Sequence, residues 1–441
     1  MSPAAISLIG ILVGITFLII VSYKGVPVMF VAPISAIIVL IFSQQNVIEG
    51  MTSTYMTGFA GFAKNYLLIF FMGSVFGRIM GDSGAAKSIA YKITRLAKRL
   101  PGNTDFWAVA GLVLISSVLT YGGISVFVIM FTMVTIGREL FQERDIPWKM
   151  YGCVCLGSGA YTLTMLPGTP QITNIIPTKY FGTTTMAAPM LGIIAAITCA
   201  ALGFGYIYYE VVRLKKRGEG FFPTGEEIAK TYLSKEDENF KELPLILCII
   251  PSIALLIALN VFNLNAAFAL LVGILVAVAL YYKRLEHIWK TCQEGGTTAL
   301  VSTCIACFVI AFGSVVSASP GFQLVVSSLD KIPGPPIVQL MIAVNICCGI
   351  TGSSSGGLTI TLNALSERFL ATGVNPQVLH RMAAVCSGGL DSLPHNGTVV
   401  NSMAAYKINH HMSYKYYFML NTVIPIISSI VMLFFAQMGV V

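Results

Sequence analysis

At 441 residues, with 56% hydrophobic and only 10% charged side chains, the chain is too apolar for an ordinary soluble protein. Its net charge of +8 does not call for nucleic acid, because the charges sort by segment: 22 of the 27 Lys and Arg are Lys24 or fall within 78–105, 138–149, 211–242, 283–290 and 407–415. With only Lys64, Lys179, Lys331, Arg368 and Arg381 elsewhere, this is a positive-inside pattern, which predicts a multi-pass protein of the cell (inner) membrane with both termini on the outer side.

In chain order, two spans are expected at about 4–23 and 26–43, then a polar connection and a third span at about 62–80. The first span has no basic residue before Lys24, so it reads as a mature helix and not as a signal peptide. A basic amphipathic helix follows at about 84–99. Next comes a hydrophobic hairpin tipped by Thr120-Tyr121-Gly122-Gly123-Ile124-Ser125. The following apolar segment is interrupted by Leu166-Pro167-Gly168-Thr169-Pro170-Gln171. Proline removes a backbone donor and clashes with the preceding turn, and glycine relaxes the chain, so the helix should break there. A last span at about 187–210 and a charged linker close this half.

The second half repeats the order: spans at about 243–261, 265–282 and 298–318, then a short amphipathic helix at about 321–331. A hairpin tipped by Thr351-Gly352-Ser353-Ser354-Ser355-Gly356-Gly357 follows. Then come a helix broken at Leu393-Pro394-His395-Asn396-Gly397-Thr398 and a span at about 417–438. Phe71-Met72-Gly73-Ser74-Val75 is echoed by Ala311-Phe312-Gly313-Ser314-Val315. Each copy crosses the membrane five times, and an odd number inverts the second copy relative to the first. The expected fold is an all-α polytopic membrane protein of two inverted repeats of five transmembrane helices, each with a re-entrant hairpin and a broken helix. Interrupted spans at matching positions in two halves point to a secondary transporter and to its binding site.

The ten cysteines lie in apolar runs without paired zinc-ligand spacing and read as small buried hydrophobes. No metal or cofactor is expected.

The glycine-rich hairpin tips and Ser387-Gly388-Gly389-Leu390-Asp391-Ser392-Leu393-Pro394-His395-Asn396-Gly397 resemble the gluconate permease family. The nearest likeness is to its hydroxybutyrate-permease-like branch, within the ion-transporter superfamily, and it covers nearly the whole chain. The resemblance implies proton-coupled uptake of small hydroxylated carboxylates such as 3-hydroxybutyrate or gluconate. It also implies a homodimer working by elevator movement. Residues 1–100 and 243–333 would form the scaffold, 101–215 and 334–441 the transport domain, and 216–242 a cytoplasmic linker.

With no Lys or Arg placed near the four polar elements, the expected anion holders are half-helix N-termini and hydroxyls. Candidate substrate-binding residues are Thr120, Gly122, Gly123 and Ser125 on the first tip, and Ser353, Ser354, Ser355 and Gly356 on the second. The breaks add Thr169, Gln171, His395, Asn396 and Thr398. Asn174 and Asn401 could equally brace their own breaks. Asp391 and His395, four apart, would share a helical face and carry the coupling proton. His380 and His410 fall at membrane edges, where no chemistry is expected. Within transport, the alternative is a sodium-coupled carrier or a metal-citrate or dicarboxylate carrier, although a tricarboxylate calls for more positive charge than these elements offer. A different class is an intramembrane hydrolase using Ser354, His395 and Asp391.

Overall fold

The computed structural model describes residues 1–24, 26–121, 126–169, 171–231, 241–262, 264–285, 287–329 and 332–441. All regular structure among them is helical, so the chain is an all-α polytopic membrane protein. The first half contains α1 (Pro3–Tyr23), α2 (Val28–Phe42), α3 (Val47–Asp82), α4 (Ala85–Ala97), α5 (Thr104–Tyr121), α6 (Val126–Glu143), α7 (Ile172–Phe181) and α8 (Pro189–Lys216). After the short α9 (Glu226–Thr231) come α10 (Leu245–Asn260), α11 (Ala266–Tyr281), α12 (Ile288–Ala318), α13 (Pro320–Ser328), α14 (Pro336–Thr351), α15 (Ser354–Ala371), α16 (Pro376–Cys386), α17 (Gly397–Tyr406) and α18 (His410–Gln437). Among the described residues, α1, α3, α5, α8, α11 with its 3-10 extension to Arg284, α12 and α18 are long and apolar enough to cross a membrane, while α2, α10 and α14 are shorter apolar helices.

The polar connection expected before residue 62 is helical. Asn46 caps the start of α3, its Oδ1 accepting from the Glu49 amide at 3.2 Å, and Thr52 returns its hydroxyl to the Ile48 carbonyl at 2.8 Å. Small hydroxylated residues whose protons stay on the helix do not stop it. In the same way α12 starts at Ile288, ten residues ahead of the expected 298.

α3 and α12 form the most extensive seam in the molecule. They run antiparallel, since Tyr55 donates to the Phe308 carbonyl at 2.7 Å and Ser74 to the Gly295 carbonyl at 2.8 Å. Glycines allow the approach: a methyl group on Gly295 would stand 2.9 Å from the Val75 Cα, and one on Gly58 would stand 3.1 Å from the Ala311 Cα. The contacts are reciprocal. Gly58 meets Ser314, and Gly295 meets Ser74, the two serines that occupy matching places in the internal echo.

Both hairpins are helix pairs. Their limbs of 18 and 18 residues (α5, α6) and 16 and 18 residues (α14, α15) reach about 24–27 Å at 1.5 Å per residue, most of a hydrocarbon core. Gly122, Gly123 and Ser125 of the first tip lie outside the described residues.

Candidate functional site

The second hairpin turns at Gly352, whose left-handed φ of +60° ends α14 and whose missing side chain leaves room for the His395 ring, 2.8 Å from where a Cβ would stand. Ser353 then caps α15, its Oγ accepting from the Gly356 amide at 3.2 Å. Gly357 brings the two limbs into backbone contact, since a Cβ there would lie 2.4 Å from the Cys348 Cα.

The second break docks onto this tip. Asn396 caps α17 by accepting from the Val399 amide at 2.8 Å, and its Nδ2 donates to the Gly352 carbonyl at 3.0 Å. His395 donates Nε2–H to the Gly349 carbonyl at 2.9 Å. That bond leaves Nδ1 as a bare acceptor, buried and without a partner. Asp391 is buried; Ser392 donates to its Oδ1 at 3.1 Å, and the Ser354 hydroxyl of the tip faces the same carboxyl.

The expected i,i+4 pairing of Asp391 and His395 does not form. Ser387-Gly388-Gly389 unwinds α16, only Leu390–Ser392 recoils as a single 3-10 turn, and Leu393 is extended with ψ of 162°. Asp391 and His395 therefore reach the tip separately. Nor is a hydrolytic triad assembled, because Ser354 faces the carboxyl while the imidazole is bonded to a backbone carbonyl.

The first break follows the same plan. The segment Leu156–Met165 is wound as a π-helix, and Gly168 turns the chain at φ of +77°. Gln171 donates Nε2–H to the Thr120 carbonyl at 2.8 Å, and Tyr121 donates its hydroxyl to the Pro167 carbonyl at 3.2 Å. Thr120 itself returns its hydroxyl to Ser116 at 2.9 Å. Asn174 braces the break by donating to the carbonyls of Thr169 and Thr185 at 2.9 and 3.0 Å. The two breaks meet where Gly388 passes the Thr164 side chain, 2.9 Å from a built Cβ. Thr398 begins α17 half-buried, as are Ser353, Ser354, Ser355 and Gly356 on the tip.

His380 and His410, assigned to membrane edges, and Arg381, counted among the basic residues outside the cytoplasmic segments, are in fact buried inside the site region. Arg381 has no exposed surface. Its guanidinium makes five hydrogen bonds of 2.8–3.3 Å, to the carbonyls of Met165, Thr185 and Ala187 (twice) and to Asn174 Oδ1. The expectation of no basic residue near the polar elements is therefore corrected: a cation held by neutral oxygens stands beside the first break. Its planar fork of five donors suits a cluster of carbonyls as no lysine could. His380 also reaches Asn174 Oδ1, at 3.2 Å through Nε2, and its Nδ1 accepts from the Thr183 hydroxyl at 2.6 Å. His410 donates to the Pro394 carbonyl at 2.8 Å, and Tyr414 to the Ser392 carbonyl at 3.1 Å, so the start of α18 holds the second break.

Several buried polar atoms in this region have no hydrogen-bond partner: Thr169 Oγ1, His395 Nδ1, both polar atoms of the Asn401 amide, Asn421 Oδ1 and Thr422 Oγ1. Such an atom costs about 1–3 kcal/mol if neither water nor a ligand reaches it. Asn421 and Thr422 sit in Met419–Val423, a π-wound turn of the last span, which packs on Leu156–Met165 and on Leu390–Ser392. An adjacent amide and hydroxyl inside an apolar run were the available signal, since polar groups within spans mark pathways.

The profile of the citrate transporter family (CitMHS) matches residues 15–294. The chain belongs to that family. The match takes in α3, the first hairpin, the first break and α8. A curated relative, the uncharacterized transporter YxjC of Bacillus subtilis strain 168, is 32% identical over 92% of this chain and 94% of its own. Citrate transporter family membership and that relative make the chain a multi-pass membrane transporter, hence a carrier. The crystal structure of the Alcanivorax borkumensis YdaH transporter, titled as revealing an unusual topology, aligns with 89% of each chain at 13% identity and a TM-score of 0.36.

Proposed function

We propose that this family member is a cation-coupled symporter, driven by protons, that carries a small hydroxycarboxylate such as 3-hydroxybutyrate or gluconate by an elevator-type movement. The observation that carries the reading is the paired docking of each helix break on the hairpin of its own half, Gln171 on Thr120 and Asn396 on Gly352. The N-termini of α15 and α17 adjoin at the contact of Gly352 with His395 and Asn396, and in this reading that of α7 faces the same region, where their amides and partial positive charge suit a carboxylate. Thr169, Ser353, Ser354, Ser355, Gly356, His395 and Thr398 are the side-chain and backbone candidates around it, with Gly122, Gly123 and Ser125 completing the first tip.

In this reading Asp391 takes the coupling proton. Ser354 of the tip faces its carboxyl, so protonation changes what the tip can hold, and tip closure is tied to the proton. The seam of α3 with α12 forms the heart of a stationary scaffold (1–100 and 243–333) that pairs with a second copy. The breaks and hairpins (101–215 and 334–441) move against it, and the inner-membrane orientation follows the charge pattern, with both termini outside.

A second reading has its own support. Arg381 supplies the buried positive charge whose absence argued against a tricarboxylate, and the family's description names citrate. Citrate is itself a hydroxycarboxylate, so the class is shared and the number of carboxylates is what differs. Uptake by the purified protein in liposomes, with a proton or a sodium gradient imposed in turn, tests both readings. Accumulation of 3-hydroxybutyrate or gluconate under the proton gradient is expected. Accumulation of citrate alone moves the assignment to the second reading, and sodium as sole driver overturns proton coupling.

A further inference from the structure

Asn421 and Thr422 have been given no role by the hairpins, the breaks or the family match, yet both are built into the interior. They are 5% and 2% exposed, and the Asn421 Oδ1 and Thr422 Oγ1 atoms lack any hydrogen-bond partner. A threonine inside a helix ordinarily returns its proton to a carbonyl one turn back, as Thr351, Thr359 and Thr361 do here. Thr422 does not. The amide nitrogen of Asn421 is turned toward Gly159 of the first broken helix, 3.6 Å from where a side chain would begin, so its oxygen points elsewhere. The turn carrying both residues packs on the broken segments of both halves, Leu156–Met165 and Leu390–Ser392.

The Asn421 oxygen calls for a donor, and the Thr422 hydroxyl, whose proton is unused, calls for an acceptor. A carboxylate can only accept, whereas a substrate hydroxyl does both. A cation would also satisfy them, but hard cations collect about six or more oxygen ligands, and here two neutral oxygens stand unpaired. A single substrate hydroxyl can donate to the Asn421 oxygen and accept from Thr422. We infer that Asn421 and Thr422 form a hydroxyl-recognition subsite that lets the carrier prefer a hydroxycarboxylate over its deoxy analogue. The inference rests on the proposed substrate class and adds which residues read the hydroxyl. A site built to bond a hydroxyl rejects the analogue lacking it, because its own polar groups are then left unpaired.

The test compares competition by matched pairs, 3-hydroxybutyrate against butyrate and citrate against propane-1,2,3-tricarboxylate, in liposomes holding the full-length protein. The wild type is expected to favour the hydroxylated member by about tenfold or more, the value of one such buried hydrogen bond. Thr422→Val, nearly isosteric, and Asn421→Ala should each narrow that ratio several-fold, while Thr422→Ser keeps it. Thermal unfolding of each variant in detergent separates misfolding from lost recognition. An unchanged ratio in folded Thr422→Val and Asn421→Ala overturns the subsite and leaves the substrate class standing. Absence of binding of every hydroxy acid by the wild type instead sinks the substrate class, and the subsite with it. Loss of sodium dependence with the ratio intact would make the oxygens a cation site and overturn the inference as well.

Discussion

Gln171 closes the end of α5: its side-chain amide donates to the carbonyl of Thr120 at 2.8 Å. In the other half Asn396 does the same for Gly352 at 3.0 Å. The last carbonyls of a helix have no partner within it, and in a membrane they cannot borrow one from water. An amide from the neighbouring break fills that need, and it also ties each hairpin to its break.

Removing either amide should therefore loosen a half-site. Asn396→Ala loses both the bond to Gly352 and the cap on α17, together about 2–3 kcal/mol, while Gln171→Ala loses about 1 kcal/mol. Thermal unfolding in detergent should rank the two variants in that order. Equal midpoints for Asn396→Ala and wild type would contradict the role given to the amide.

Asp391→Asn should abolish accumulation driven by a proton gradient while retaining counterflow exchange, because an amide can still bond the Ser392 and Ser354 hydroxyls but does not titrate. Radiolabel uptake with and without an imposed pH step reads this directly. Uphill accumulation at the wild-type level would make Asp391 a structural group.

For Arg381, the conservative change is the informative one. The guanidinium's five bonds reach four acceptor atoms and lysine has three donors, so Arg381→Lys should leave at least one acceptor unpaired and cost roughly 1 kcal/mol or more. Arg381→Met, which also deletes the charge, should lower affinity for a trianion more than for a monoanion if citrate is carried. A thermal midpoint unmoved by Arg381→Lys would show that the carbonyls find other partners.

Gly357→Ala should pry apart the second hairpin, since the added methyl meets the Cys348 backbone at 2.4 Å. Overpacking of this kind costs about 1–3 kcal/mol, and uptake should fall with it. Gly61→Ala, where nothing lies within 4 Å, serves as the matched control and should be silent or slightly stabilising. Fluorescence-detected gel filtration after heating distinguishes the two.

The hairpins and breaks were legible in the sequence because proline, glycine and serine runs have few other uses inside a span, and the structure puts Pro167, Gly168, Gly352 and Pro394 at turns. Three features were not. Arg381 was counted with the charges outside the cytoplasmic segments and His380 was placed at a membrane edge, because a charge signals solvent until the groups that solvate it are known, and the oxygens around Arg381 come from residues 165–187, some two hundred positions away. The facing of Asp391 and His395 depended on whether Ser387-Gly388-Gly389 would hold a helix, which local propensity does not decide. Asn421 and Thr422 were passed over because the last span read as uniform, whereas a single wide turn there aims both inward.

The carbonyl cage around Arg381 also bears on how the molecule is made. α16 has 11 residues, too few to cross a bilayer, and an arginine placed in lipid costs about 2.5–3.5 kcal/mol on insertion scales. Every oxygen that receives its guanidinium lies between Met165 and Ala187, in chain that leaves the ribosome first. The receptor for α16 is thus supplied entirely by the half of the chain that is made before it, and the later helix can settle in the membrane only where those carbonyls await its charge.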